Sequence, residues 1–122
     1  MRNYKNYDVW TESHSLVLFI YGQIAPEIPR EEKYELVSQM KRAAYSIPFN
    51  IVERCGRNSE RDFAHFLDVS LGSANELEYC ILLMKDLSYL NSEQYELVNK
   101  KVSVIRAKLI NLIKSIRELK HK

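Results

Sequence analysis

The stretch Arg42-Ala-Ala-Tyr-Ser-Ile-Pro-Phe-Asn-Ile-Val-Glu53 lies in the middle of an apolar-striped segment, and Pro48 interrupts it. Apolar side chains recur at steps of three and four residues, which predicts a helix with one buried face. A proline inside a helix removes one backbone donor and clashes with the carbonyl four residues back, at a cost of about 3 kcal/mol. We therefore predict a helix that is kinked near Pro48. The carbonyl of Ala44 then needs a partner, either a side chain or water, and Asn50 or Ser46 is placed to stabilise the kink.

This segment is one of four apolar-periodic segments, separated by short polar breaks. They run from about Asp8 to Ile24, from about Glu31 to Cys55, from Ser59 to the break at residues 86–92, and from about Ser92 to the C-terminus. The last two follow a 4-3-4-3 pattern typical of a coiled-coil-like seam. In the fourth segment the seam consists of Val98, Val102, Ile105, Leu109, Leu112, Ile116 and Leu119. Short connections favour antiparallel neighbours, so we predict one all-α domain over residues 1–122, an antiparallel up-down-up-down four-helix bundle.

Several polar residues are placed to end or begin these helices. Asp8 can cap the first helix or put its charge near the positive end of the helix dipole. We expect Glu31, Glu32 and Glu35 in the first turns of the second helix, where negative charge is favourable. Asn91 or Ser92 is the expected cap of the fourth helix.

The composition excludes several classes of protein. With 46% hydrophobic residues, 28% charged residues and 3 Gly and 3 Pro in 122 residues, the chain reads as a globular, turn-poor protein. No apolar run approaches the ~18 residues that span a membrane, and the N-terminus lacks the apolar core of a secretory signal. Two cysteines are too few for a disulfide framework, which favours a reducing, cytoplasmic setting.

Apolar residues outside the buried stripes indicate self-association. Leu97 and Val104 lie about 100° to one side of the seam of the fourth helix, and Ile110 lies about 130° to the other. The third helix carries Phe66, Val69 and Leu71 off its own seam. A monomeric bundle needs one buried face per helix, so the extra apolar surface predicts contact between subunits.

Four motifs, in order along the chain, resemble those of the 23S rRNA intervening-sequence proteins, a bacterial family that includes the accessory proteins of diversity-generating retroelements. They are Tyr4-x-x-Tyr7-x-Val9-Trp10, the run Gln39-Met-Lys-Arg42-Ala43 continuing to Ser46-Ile-Pro-Phe-Asn-Ile-Val-Glu53, the pair Phe63-x-x-Phe66-Leu67 and Gly72-Ser73-x-x-Glu76-Leu77-Glu78, and Asp86-Leu-Ser-Tyr89-Leu90. Two positions depart from the pattern, since Val52 and Arg54 stand where the family commonly has alanine and glycine.

The resemblance implies a non-enzymatic four-helix bundle that assembles into a ring, commonly a pentamer, around a central channel. In the retroelement branch the channel is basic and the protein assists a reverse transcriptase and its template RNA. In the other branch the gene lies within an inserted segment of the 23S rRNA gene. The motif positions are interpreted as mainly structural, although Asn50 and Glu53 share a helix face that could also form a binding site. These positions are Trp10, Pro48, Asn50, Glu53, Gly72 and Glu76.

Basic residues are the candidate nucleic-acid contacts. The last 32 residues carry 8 Lys or Arg against 3 Asp or Glu, a balance of +5, while residues 1–90 have a balance of −3. A basic C-terminal segment on a near-neutral body can bind polyanions, and it can equally be a solvated helix face. The candidates form two groups. One lies around the turn between the second and third helices, and the other lies on one flank of the fourth helix. They are Arg54, Arg57 and Arg61, and Arg106, Lys114 and Arg117.

The residues offer little support for an enzyme. A carboxylate-bridged dimetal site in a bundle needs two Glu-x-x-His motifs, and the chain has one Asp62-x-x-His65 without a second copy. Phosphate-binding loops and nucleotide fingerprints are absent from the sequence. We therefore expect no catalytic residues, no metal or other cofactor and no small-molecule substrate. The alternative to RNA binding is a structural or protein-interaction scaffold without a nucleic-acid role.

Overall fold

The computed structural model describes residues 3–56 and 60–120, which form four long α-helices. They are α1 (Asp8–Phe19), α2 (Leu36–Cys55), α3 (Glu60–Asp86) and α4 (Ser92–Lys120). Helix α1 packs on α2, α2 on α3, α3 on α4, and α4 closes back on α1. The described residues include no strand. The predicted all-α antiparallel four-helix bundle is confirmed, and α2 runs as one helix through Pro48, where the kink stays a prediction.

The connection between α1 and α2 is longer than the sequence pattern indicated. After α1 the chain continues through a π-helical turn, Ile20–Ile24, and two short 3₁₀ turns, Ala25–Glu27 and Arg30–Glu32. The prediction that the second helix begins near Glu31 was wrong, because the backbone at Glu35 (φ −117°, ψ −97°) is not helical. The three glutamates of this region therefore precede α2, and its first turn contains no acidic residue.

Side-chain hydrogen bonds cap the N-terminus of α4 at the end of the turn that follows α3. Asn91 Oδ1 accepts from the Gln94 N–H at 2.8 Å, and Gln94 Oε1 accepts from the Asn91 N–H at 2.9 Å. This reciprocal pair is a capping box, which satisfies two backbone donors that the helix leaves unpaired. The prediction of Asn91 as the cap is confirmed. Ser88 in this turn adopts a left-handed conformation, with φ 66°.

The core lies where the apolar stripes of the four helices meet. The predicted stripe of α4 is buried at Val98, Val102, Ile105 and Leu109. Beyond Leu109, Ile113 and Ile116 are buried and Leu112 is only partly buried against the core, while the side chain of Leu119 lies outside the described part of the structure. The step from Leu109 to Ile113, rather than to Leu112, follows from the helix repeat of about 3.6 residues, which moves a strict 4-3 stripe around the helix axis. Within residues 3–56 and 60–120, no helix has both the length and the apolar character needed to cross a bilayer.

Candidate nucleic-acid interface

The proline segment of α2 is held by side-chain hydrogen bonds to α3. Asn50 Nδ2 donates to the Ser46 carbonyl oxygen at 2.8 Å and to Ser46 Oγ at 3.0 Å. Ser73 Oγ of α3 donates to Ser46 Oγ at 2.8 Å, and Ser70 Oγ donates to the Ile47 carbonyl oxygen at 2.9 Å. These bonds engage Asn50 and Ser46 inside the bundle. The arrangement favours the structural interpretation of this motif over a binding site.

The other motif positions lie in three different settings. Trp10 stacks on His14 with ring centroids 5.0 Å apart, and the ring of Tyr4 meets it edge-on at 4.9 Å. Gly72 is exposed, and a Cβ atom added there would have no neighbour within 4 Å. Packing within the bundle therefore does not require a glycine at this position. Glu53 and Glu76 are exposed on α2 and α3. Burial, and then the negative charge of Glu76, raise the pKa of the Cys80 thiol.

Of the first group of predicted cations, the structure describes the side chain of Arg54 alone, and it lies in the core. Arg54 is fully buried, and its guanidinium carbon lies 5.0 Å from the centroid of the Tyr7 ring. A buried guanidinium cannot contact RNA on the surface of this bundle, so Arg54 is a structural residue here. The sequence could have predicted this burial, because Ile47, Ile51 and Arg54 are spaced by four and three residues and share the core face of α2. Arg57 and the side chain of Arg61 lie outside the described part of the structure.

The second group of predicted cations lies along the side of α4 that faces α3. Arg106 Nε donates to Asn75 Oδ1 at 3.0 Å, and its Nη2 forms an ion pair with Glu78. Arg117 Nη2 forms an ion pair with Asp68 Oδ2 at 2.6 Å, and the Arg117 side chain keeps 54% of its exposure. Lys114 is exposed between them along the helix. We call these three residues, Arg106, Lys114 and Arg117, the basic strip.

The opposite flank of α4 carries cations that contact α1. Lys108 Nζ bonds to Asp8 and, at 2.8 Å, to Glu12 Oε1. These two hydrogen bonds raise the pKa of Lys108 above its ordinary value. Lys101 Nζ lies 5.0 Å from the centroid of the Phe19 ring. A groove of about 380 Å³ opens between α1 and α4 beside these residues.

The described side chains give no support to metal chemistry. No three His, Cys, Asp or Glu residues in the described part of the chain form a group that could hold a metal ion. Cys55 and Cys80 are both buried. The basic strip can bind phosphate, because guanidinium and ammonium groups donate hydrogen bonds to phosphate oxygens.

Comparison with known proteins places the chain in one family. A structure described as a protein of unknown function from the S23 ribosomal protein family of Bacteroides thetaiotaomicron VPI-5482 is 32% identical, with a TM-score of 0.80 over 87% of this chain and 95% of that one. No curated protein matches the chain. Neither the family description nor this structural relative names an enzyme. The model of the 23S rRNA-intervening sequence protein family matches residues 5–111, and the chain belongs to that family.

Proposed function

We propose that this chain is a non-enzymatic, self-associating protein of the cytoplasm that binds RNA, or a ribonucleoprotein such as a reverse transcriptase with its template, through the basic strip. The observation that carries the proposal is the alignment of Arg106, Lys114 and Arg117 on one side of α4, in the part of the chain with a charge balance of +5. Phosphates along an RNA backbone need cations spaced along one surface.

The ion pairs of the strip are compatible with binding. The Arg117–Asp68 pair is about half exposed, and exposed pairs contribute only about 0–1 kcal/mol. A phosphate can displace Asp68 from Arg117 at little cost, because it offers the same bidentate acceptor geometry. Lys114 needs no such exchange. In a ring, here proposed as a pentamer, each strip repeats around the axis, so a modest charge per subunit produces a concentrated field.

A second candidate is a protein-interaction scaffold with no nucleic-acid role. The observation that favours it is the pairing of Arg106 with Glu78 and of Arg117 with Asp68, which neutralises two of the three cations from within the chain. In this case the strip mainly joins α4 to α3. The two candidates differ in whether removing the strip changes affinity for RNA.

The test is binding of a labelled structured RNA across a salt series, with the mass of the assembly measured by light scattering on the same samples. The variant Arg106→Gln, Lys114→Gln, Arg117→Gln removes the strip. The control variant Lys5→Gln, Arg30→Gln, Arg42→Gln removes the same charge from exposed residues elsewhere. Circular dichroism verifies that both fold.

We expect micromolar or tighter binding by the wild type, with a steep negative dependence on salt. Each phosphate that the protein no longer neutralises lowers that slope by about 0.7–0.9, so the strip variant should show a slope smaller by about 2–3. The control variant should keep most of the affinity. Equal affinity of the strip variant and the control would assign the binding to another surface, and no binding at low salt would leave the scaffold as the function.

A further inference from the structure

The groove between α1 and α4 is apolar at its floor and carries exposed lysines at its rim. Leu97 and Val104 of α4 line the groove and keep 45% and 41% of their exposure, although they are apolar. Lys100 and Lys101 stand beside them and are exposed. We call this surface the basic groove. An apolar recess with charged groups at its rim is typical of a surface that receives a protruding side chain.

A second surface, which carries exposed acidic residues, lies where α2 begins and α3 ends. Tyr34 keeps 84% of its exposure, the highest value among the exposed large apolar residues. Glu32 and Glu35 flank it, and Leu83 and Leu87 of α3 line the same shallow depression. The nearby Lys33 lies over the Tyr34 ring, 5.3 Å from its centroid. We call Glu32, Tyr34, Glu35, Leu83 and Leu87 the acidic corner.

The two surfaces lie on opposite faces of one bundle. The helices follow each other around the bundle in chain order, so the α1/α4 seam lies across from the α2/α3 seam. Both surfaces also belong to the half of the bundle that contains the α3–α4 turn, since Leu87 precedes that turn and Leu97 follows it. Two copies standing side by side in the same orientation therefore bring the basic groove of one to the acidic corner of the next.

We propose that Tyr34 of one copy enters the basic groove of a second copy, with Glu32 and Glu35 facing Lys100 and Lys101. The proposal rests on the self-association in the proposed function and names the two surfaces that make it. The contact is head to tail, so a pair of copies leaves one groove and one corner unused. A series of such contacts closes into a ring when each copy is rotated against the previous one by a constant angle about one axis. The basic strip on the α3/α4 side stays outside this contact.

Charge reversal tests the pairing. The variants are Lys100→Glu with Lys101→Glu, Glu32→Lys with Glu35→Lys, and all four changes together. The control, Lys5→Glu with Arg42→Glu, reverses two exposed basic residues that line neither surface. The measurement is assembly mass by light scattering over a concentration series, with circular dichroism as the check of folding.

We expect each double reversal to weaken the assembly by about tenfold or more, since like charges then face each other. The fourfold variant should regain wild-type assembly, and the control should keep it. Wild-type mass in both double reversals would overturn the pairing while leaving self-association intact. A wild type that stays monomeric at every concentration would overturn both, and RNA affinity in the same samples would report separately on the basic strip.

Cross-linking gives a second, geometric test. The chain with Lys33→Cys, beside Tyr34, and Ser15→Cys, in the lining of the groove, is treated with a short bis-maleimide and should give a ladder of covalent oligomers on a denaturing gel. Either single variant should give no species beyond a dimer, because a head-to-tail series needs both positions. Cys55 and Cys80 are buried, so the wild-type chain should react little with the reagent. A double variant without a ladder would contradict the proposed contact.

Discussion

The hydroxyl of Ser70 in α3 donates a 2.9 Å hydrogen bond to the carbonyl oxygen of Ile47 in α2, one residue before Pro48. Ser70 is fully buried, and three residues later Ser73 bonds to Ser46 at 2.8 Å. These two bonds cross between the helices at the point where the proline removes a backbone donor from α2. The polar contacts therefore fix the register of α3 against α2 in an otherwise apolar core.

Ser70→Ala should lower the free energy of unfolding by about 1 kcal/mol, because the substitution removes a buried hydrogen bond. In a chain of this size that corresponds to a fall in Tm of about 3–6 °C. Thermal unfolding followed by circular dichroism measures it. Ser103→Ala on the exposed face of α4 is the matched control and should leave Tm nearly unchanged. Equal Tm values for the two variants would show that the Ser70 bond has no net effect.

Asn50→Ala should also destabilise the bundle by about 1 kcal/mol, since the Asn50 amide donates to two oxygen atoms of Ser46. Asn50→Asp keeps the shape but replaces the donor with a carboxylate that faces the Ser46 carbonyl oxygen. We therefore expect the aspartate variant to be less stable than the alanine variant at neutral pH. Urea unfolding at pH 7 compares them. The reverse order of stability would mean that the Asn50 amide does not act as a donor in this position.

Ser88→Gly should stabilise the protein. Ser88 has φ 66°, a conformation that costs residues other than glycine about 1–2 kcal/mol. Glycine relieves that cost but adds conformational entropy to the unfolded chain, so the net gain is expected to be up to about 1 kcal/mol. Ser88→Ala is the control, because it keeps a Cβ atom and should give no gain. A glycine variant that melts at or below the wild-type Tm would rule out strain at this turn.

Lys108 should make stability depend on pH at the alkaline end. Its hydrogen bonds to Asp8 and Glu12 raise its pKa in the folded state above the ordinary value of 10.5. The stabilisation is fully present below pH 10.5 and is lost as the pH rises through the folded-state pKa. The difference in Tm between wild type and Lys108→Gln should therefore shrink above that pH. Lys114→Gln is the control, and a Lys108→Gln difference that is constant from pH 8 upward would exclude this linkage.

The sequence predicted the helices and most of the core because one periodic signal determines both. The start of α2 was misplaced, since Glu31 and Glu35 suit a first turn by charge but the backbone at Glu35 is not helical. Arg54 was assigned to the surface by its charge, although its spacing from Ile51 placed it on the core face.

The partners of the basic strip were beyond sequence reasoning. A helical wheel of α4 groups Arg106 with Arg117, but whether Glu78 and Asp68 stand opposite them depends on the register between α3 and α4. That register follows from the whole core, including the bonds that Ser70 and Ser73 make to α2. The polar contacts between helices could therefore be identified only from the structure, whereas the charge balance of the C-terminal segment could be predicted from the sequence.

Helix α1 packs far less extensively on α4 than α2 does on α3, and it ends in a π-helical turn. A helix with little tertiary packing is the one that opens first in local unfolding, so the amide hydrogens of α1 should exchange with solvent before those of α2 and α3. Because α1 forms one wall of the basic groove, its detachment removes the groove as well. A ligand or partner bound in the groove should therefore slow amide exchange along α1. The rate at which α1 unfolds locally determines how long the groove stays formed.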